Sequence, residues 1–373
     1  MFQKTSIWYV ALDFSLVSDL DRDCYRLQAQ LHPVANEQFR KKRSHTTAPS
    51  GTVQREEEMK FGLKTLMLGM ALAGALAAPV AAARADDIHI IVVSHGQAND
   101  PFWSVVKNGV VAGAKDAGVQ VDYRAPETFD MVAMSQLIDA AVAQKPAGLV
   151  VSIPDASALG ASIKNAVAAG IPVISMNSGS DVSKSLGALL HVGQDEYPAG
   201  KAAGEKLKAM GGKNALCVNQ EVGNAALDAR CKGFSDGFGG KVIVVPVSND
   251  PTDVLAKVKA ALSADASVDT ILALGAGTAG EPSLAAVSEL GLTGKIKVAT
   301  FDMSANFLKA IASGDAAFAI DQQQFLQGYL PVIFLANYAR YGLIPGGNVP
   351  SGPNLITKDK AAQVVDLSAK GIR

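Results

Sequence analysis

From residue 88 onward the chain alternates short apolar runs with longer segments in which apolar residues recur every three or four positions. The short runs are rich in Val and Ile and predict strands buried on both faces of a parallel sheet, whereas the longer segments predict amphipathic helices. The first predicted set has strands at 88–94, 119–123, 148–153 and 172–176, and helices after 101 and over 131–144 and 156–169. Right-handed crossovers then give an open, doubly wound α/β sheet.

This alternation pauses around residues 189–193 and then begins again. The second set has strands at 215–219, 242–247, 270–274, 297–301 and 317–320, and helices over 196–210, 225–238, 254–262, 283–290 and 306–313. Two sets of similar size predict two lobes instead of one large sheet, because single hydrophobic cores stop growing beyond about 250–300 residues.

The segment from Met59 to Ala85 has the pattern of a secretory signal. Lys60 and Lys64 precede an apolar stretch over 66–78, Pro79 ends that stretch, and an Ala-x-Ala exit follows. The stretch is shorter than the ~20 residues that a membrane-spanning helix needs. We predict a signal peptide over 59–85, cleaved after about Ala85.

Residues 1–58 precede this signal and show no sustained periodicity. A run of three glutamates, 56–58, stands directly before Met59. Because glutamate codons are purine-rich, the run fits a translated ribosome-binding site. We therefore predict that residues 1–58 are a mis-assigned, disordered extension and that translation starts at Met59.

Composition narrows the function class. The 373 residues are 49% hydrophobic and 18% charged, which is typical of a globular protein. Without residues 1–85 the chain has 23 basic and 27 acidic residues, so no basic field attracts nucleic acid or anionic lipid.

Cys217 lies in a predicted strand and Cys231 on a predicted helix. An oxidising compartment favours a disulfide between them, and two separate buried thiols are the alternative.

Polar and aromatic side chains follow many of the predicted strands, at the sheet edge where open α/β sheets bind ligands. The candidate ligand-binding residues are His95, Asn99, Phe102, Trp103, Asp155, Asn177, Arg230, Asn249, Asp302, Asp321 and Gln322. Carboxylates, amides and a guanidinium suit a polyhydroxylated ligand, and an aromatic ring suits the C–H face of a sugar. Each Asp or Asn has helix capping as an alternative role, and the aromatic pair can instead belong to the core.

A glycine-rich segment offers a different function. Gly275, Gly277 and Gly280 follow a strand and have Asp302 about 20 residues later, as in a dinucleotide-binding fingerprint. Pro282 speaks against it, because in that fingerprint the helix already runs through the third glycine. A secreted NAD-dependent oxidoreductase is therefore the weaker alternative.

The sequence has no nucleophile elbow, Walker loop or metal-type histidine spacing, so we predict no enzyme, no cofactor and no metal.

Five segments occur in a characteristic order within about residues 88–350: Asn99-Asp100-Pro101-Phe102-Trp103, residues 169–174, Arg230 ahead of Gly233-Phe234, Thr300-Phe301-Asp302, and Ala319-Ile320-Asp321-Gln322. This ordered set resembles the ribose- and galactose-type periplasmic sugar-binding proteins of ABC importers. The resemblance implies that Phe102, Trp103, Arg230, Asp302 and Gln322 contact ligand.

The same resemblance implies a type I periplasmic binding protein fold: α/β, with two Rossmann-like doubly wound lobes joined by a three-strand hinge. The N-terminal lobe would comprise 86–193 plus 323–350, and the C-terminal lobe 194–322 plus 351–373. A monomer in the periplasm would hand a sugar or polyol to an ABC permease of the inner membrane. A chemosensory or quorum-signal receptor on this fold is the alternative.

Two positions depart from the ribose-binding pattern. Asn177-Ser178 stands where ribose-binding proteins carry Asp-Arg, and Gly275 stands where they carry Asn. One cationic donor and one amide are missing, so a different pentose, a hexose or a sugar alcohol is open as the ligand.

Overall fold

The computed structural model describes residues 88–96 and 100–373. The predictions for residues 1–58, for the signal peptide over 59–85 and for Asn99 lie outside this part of the chain. The first lobe opens with β1 (His89–Val93), α1 (Pro101–Ala117), β2 (Gln120–Arg124), α2 (Met131–Ala143), β3 (Gly148–Ser152), α3 (Ala156–Ala168), β4 (Val173–Met176) and β5 (Leu190–Gly193).

The second lobe continues the same alternation. It contains α4 (Glu196–Ala209), β6 (Asn214–Asn219), α5 (Ala225–Phe238), β7 (Lys241–Pro246), α6 (Pro251–Ala264), β8 (Thr270–Ala273), α7 (Glu281–Glu289), β9 (Lys297–Phe301), α8 (Ala305–Ser313) and β10 (Phe318–Asp321). The chain then returns to the first lobe with α9 (Gln324–Tyr341) and β11 (Val349–Pro350), and ends in the second with β12 (Asn354–Ile356) and α10 (Lys358–Ala369).

Each lobe is built on a six-stranded sheet. The strand orders are β11-β5-β4-β3-β1-β2 and β12-β10-β9-β8-β6-β7. All pairs are parallel except β12 against β10. The continuous Val- and Ile-rich strands are buried on both faces, as parallel sheets covered by helices require. The pause predicted at residues 189–193 is wrong, because residues 190–193 form β5. Its sequence Leu-His-Val-Gly lacks the β-branched run that marked the other strands.

Three crossings connect the lobes, from β5 to α4, from β10 to α9, and from β11 to β12. Because every parallel strand runs in the same sense within its sheet, the carboxyl ends of the strands carry the loops that can form a ligand site. Asp100 and Asp155 begin the helices after two of these loops by accepting hydrogen bonds from amides of the first turn.

Close glycine contacts join two helix pairs. A Cβ on Gly109 of α1 would lie 2.0 Å from the carbonyl oxygen of Phe325 on α9, and one on Gly200 of α4 would lie 2.2 Å from that of Arg230 on α5. Only glycine permits this approach. The second contact matters for the site, because it brings the start of α4 against the middle of α5.

A disulfide also fixes α5. Cys217 of β6 and Cys231 of α5 are bonded, with their Cα atoms 5.9 Å apart. This bond attaches the helix beside Arg230 to the sheet of its own lobe. Within the described part of the chain, no helix combines the length and the apolar character needed to cross a membrane.

Candidate ligand-binding site

A cavity lies between the lobes at the carboxyl ends of the strands. The lining residues that the site argument uses come from both lobes: His95, Asp100, Phe102, Trp103 and Asn177 from the first, and Gln220, Glu221, Asn224, Arg230, Asp302 and Gln322 from the second and its crossing to the first. Seven of the eleven predicted ligand-binding residues therefore meet in one place.

Aromatic rings form one wall of this cavity. The rings of Phe102 and Trp103 meet edge to face with centroids 5.1 Å apart, and His95 meets Trp103 in the same way at 4.7 Å. Trp103 is only 4% exposed and packs on the core of the first lobe. The two roles considered for Trp103 are thus combined in one side chain, which lines the cavity with one part and fills the core with the rest.

Arg230 reaches the cavity as half of a buried ion pair. Its Nε donates to Oε2 of Glu196 at 2.5 Å and its Nη2 to Oε1 at 2.9 Å. Its Nη1 donates to the carbonyl oxygen of Leu274, and the guanidinium lies 4.5 Å from the ring centre of Phe301. This two-pronged contact holds the guanidinium plane in one orientation. Glu196 lies three residues after β5, a strand that the sequence pattern did not predict.

Asp302 and Gln322 form a second polar pair. Nε2 of Gln322 donates to Oδ1 of Asp302 at 2.6 Å. Burial raises the pKa of Asp302 to about 7, although the nearby Arg230 guanidinium acts in the opposite direction. Asp302 has φ of 65° and Asn177 has φ of 62°, a left-handed backbone that aims both side chains away from the strand path.

Asn177 extends this pair into the first lobe. Its Nδ2 donates to Oε1 of Gln327 at 3.2 Å and lies 3.5 Å from Oε1 of Gln322. Gln327 is on α9, which follows the second crossing directly. The side-chain amides of Asn177, Gln322 and Gln327 are therefore hydrogen-bonded to one another, and they link the cavity to the second crossing between the lobes.

Carboxylates that the sequence analysis left out also line the cavity. Asp100 caps α1 and is half-buried, and its pKa rises to about 7, chiefly by burial and further by the charge of Glu221. Glu221 follows β6 by two residues. A survey of every residue within two or three positions of a strand end would have included it. Asn224, which caps α5, binds Glu221 through Nδ2 and Oε2 at 2.6 Å.

Three predicted site residues lie away from this cavity. Asp155 is occupied by the amides of Ser157 and Ala158 at the start of α3. Asp321 is fully buried and pairs with Arg373 at 2.8 Å. Asn249 follows β7 and does not line the cavity. Among residues 88–96 and 100–373, no group of three or more His, Cys, Asp or Glu side chains could hold a metal ion.

Two lobes that share a polar cavity at their strand ends have the architecture of a small-molecule receptor. Residues 88–342 match the family described as periplasmic binding protein domain. The protein belongs to this family, which consists of substrate-binding proteins of transporters and not of enzymes. The predicted type I fold is confirmed, and the oxidoreductase alternative finds no support. The expectation that the helix starts only after the glycine-rich segment is wrong: a π-helical turn over Ala276–Gly280 runs directly into α7, and Pro282 lies in the first turn of α7.

Solved structures and similar sequences agree with this assignment. A carbohydrate transporter protein from Acidothermus cellulolyticus 11B, in complex with myo-inositol, is 36% identical with a TM-score of 0.73, and the match covers 77% of this chain and 99% of that one. The xylose/arabinose-binding protein XylF of Sulfolobus acidocaldarius is 24% identical over 285 residues, 72% of this chain and 70% of the relative. The ribose import binding protein RbsB of Haemophilus influenzae is 26% identical over 276 residues, 72% and 88% of the two chains.

Proposed function

We propose that this protein is the solute-binding component of an ABC importer and that it captures a neutral cyclic polyol or monosaccharide between its lobes. The observation that carries the proposal is the polar cavity at the strand ends, to which both lobes contribute. A ligand held by both lobes favours their closed arrangement, because it gains contacts there that the open arrangement cannot supply.

The polar groups of the cavity suit hydroxyls. The carboxylate of Asp302 accepts hydrogen bonds, and the amides of Asn177 and Gln322 can both donate and accept them. Oε1 of Gln220 is buried at the cavity and has no hydrogen-bond partner within the described part of the chain, so it can accept from a ligand hydroxyl. The rings of Phe102 and Trp103 offer a surface for the C–H face of a ring.

The charges of the cavity favour an uncharged ligand. Asp100, Glu221 and Asp302 all line it, whereas the one arginine there, Arg230, is already paired with Glu196. A sugar acid or a sugar phosphate would add negative charge beside these carboxylates, where repulsion in a desolvated site is strong. We therefore place sugar acids and phosphates outside the ligand class.

Among neutral ligands, myo-inositol is our first candidate. The 36% identical protein from Acidothermus cellulolyticus 11B was solved with myo-inositol. The two departures from the ribose-binding pattern, at Asn177-Ser178 and at Gly275, remove groups that ribose-binding proteins offer to a pentose. A six-membered ring of hydroxyls is therefore the first ligand to test.

Export and handover complete the proposal. Residues 59–85 would direct the chain to the periplasm and be removed after about Ala85. The monomeric protein would then deliver its ligand to an inner-membrane permease. Mass spectrometry of the protein from its natural source tests the start, since peptides from residues 1–58 would contradict translation from Met59.

A thermal-shift screen tests the ligand class. Neutral polyols, aldoses and ketoses are compared with glucuronate and inositol monophosphate at equal concentration. A ligand present at 100 times its Kd should stabilise the protein by about 2.7 kcal/mol. We expect a clear rise in Tm for myo-inositol or another neutral ring, and none for the anions. A rise for the anions alone would overturn the proposal.

A further inference from the structure

Two buried side chains of opposite lobes meet at the wall of the cavity. His95 follows β1 in the first lobe, and Glu221 follows β6 in the second. Nε2 of His95 lies 3.5 Å from Oε2 of Glu221, and the side chains are only 2% and 8% exposed. This contact bridges the cleft itself and is separate from the three hinge crossings.

The first lobe holds His95 in place for this contact. The backbone N–H of His95 donates to Oγ of Ser152 at 3.0 Å, and Nδ1 of the ring shares a hydrogen bond of 2.8 Å with the same oxygen. With Oγ of Ser152 as the donor to Nδ1, Nε2 carries the ring proton and faces Glu221 as a donor. The rings of Trp103 and Phe129 pack edge-on against the imidazole at 4.7 and 5.8 Å.

The second lobe holds Glu221 just as firmly. Its backbone N–H donates to Oδ1 of Asn219 at 3.0 Å, and Nδ2 of Asn224 donates to its Oε2 at 2.6 Å. Nδ2 of Asn224 also lies 3.4 Å from Nε2 of His95. Each lobe therefore orients its own half of the contact, so moving the lobes apart would separate the two halves.

A backbone hydrogen bond stands beside the same contact. The amide of Ala225, the first residue of α5, donates to the carbonyl oxygen of Pro154 in the first lobe at 3.0 Å. Pro154 precedes the capping residue of α3, so two rigid helix starts meet here. The side-chain pair and this bond form one continuous patch at the edge of the cavity.

We propose that His95 and Glu221 form a clasp that keeps the lobes closed over the ligand and thereby sets the rate of ligand release. The inference rests on the proposed function and adds a role for His95 that needs no contact with the ligand. Both are positioning residues, since their nitrogen and oxygen atoms bind each other across the cleft. Removing either partner leaves the other buried without its cross-lobe bond, and such losses act mainly on dissociation.

Release kinetics provide the first test. The protein is loaded with myo-inositol, and stopped-flow displacement measures the dissociation rate of Glu221→Leu, His95→Phe and the double variant, because Leu and Phe can neither donate nor accept the cross-lobe hydrogen bond. We expect dissociation at least about tenfold faster in each single variant, with association changed by less than about threefold. The double variant should match the singles, because either change already breaks the clasp. The control is Glu289→Leu, the same substitution at an exposed ion pair of the second lobe, and it should release ligand at the original rate.

A measurement without ligand separates the clasp from the proposed function. Spin labels at Gln136→Cys on α2 and Ala260→Cys on α6, both exposed, report the distance between lobes in the protein that begins after Ala85, whose Cys217 and Cys231 are bonded to each other. We expect the ligand-free protein to lose its closed fraction in Glu221→Leu and in His95→Phe. Unchanged distances together with release rates within about twofold of the original would overturn the clasp. Failure of the unsubstituted protein to bind any neutral polyol or sugar would overturn the proposed function. The distances between the spin labels in the ligand-free protein would still show whether the clasp holds the lobes closed.

Discussion

Replacing Asp302 by Asn should stabilise the ligand-free protein while weakening its affinity for ligand. The carboxylate is 7% exposed, and burial raises its pKa to about 7 from an ordinary value of 3.8. Each pKa unit corresponds to about 1.4 kcal/mol, so holding the ionised form at pH 8 costs up to about 4 kcal/mol. Asn keeps an oxygen that can accept from Gln322, and it tolerates the left-handed backbone at this position. After allowance for the lost attraction to Arg230, we expect a gain of about 1–3 kcal/mol at pH 8.

The direction with pH is the distinctive part of this prediction. Between pH 4 and about 7 the folded carboxyl holds a proton that the unfolded one has released, so stability should fall as pH rises through this range. Asp100, whose pKa also rises to about 7, acts in the same direction. Calorimetric unfolding at pH 5, 6, 7 and 8 should therefore show a smaller pH dependence in Asp302→Asn than in the original protein. A variant that is less stable at pH 8, or that keeps the full pH dependence, would refute the reasoning. Asp236→Asn, at an exposed ion pair, is the control.

Three further predictions concern individual side chains. Reducing the bond between Cys217 and Cys231 should lower the free energy of unfolding by about 3 kcal/mol. A Tm that does not change when reductant is added would contradict this. Asp155→Ala should lose about 1 kcal/mol of stability as a missing helix cap, with Kd unchanged by calorimetry; a weakened Kd would return Asp155 to the site. Trp103→Ala should lose about 3–5 kcal/mol of stability and also weaken binding, whereas Trp103→Phe should keep most of both. Unchanged stability of the Trp103→Ala variant would contradict the assignment of Trp103 to the core.

The regular part of the fold could be predicted because local pattern and tertiary structure agree there. The helix over 225–238 and the strand over 297–301 have the predicted bounds. β5 was not predicted because it has no β-branched run of its own, and its burial comes from the neighbouring elements. β12 has only three residues, which is too few for a period to show.

The candidate site could be predicted only in part, since residues after strands can either bind ligand or cap the next helix. Asp302 and Asp155 look alike in sequence, yet the left-handed backbone of Asp302 turns its side chain to the cavity while Asp155 caps α3. The partners Glu196 and Glu221 were missed for a different reason. Each becomes significant through a contact with a distant segment, with Arg230 in one case and His95 in the other. No local pattern encodes such a contact.

The central claim is that a neutral polyol or sugar binds between the lobes through groups of both. Calorimetric titration of myo-inositol into the purified protein, with Asp302→Asn titrated in parallel, tests it most directly. We predict one site per chain and an affinity at least about 30-fold weaker in the variant, the scale of a lost charge-assisted hydrogen bond of about 2 kcal/mol. Equal affinity in the two proteins, or no heat from myo-inositol or any other neutral ring ligand, would contradict the account.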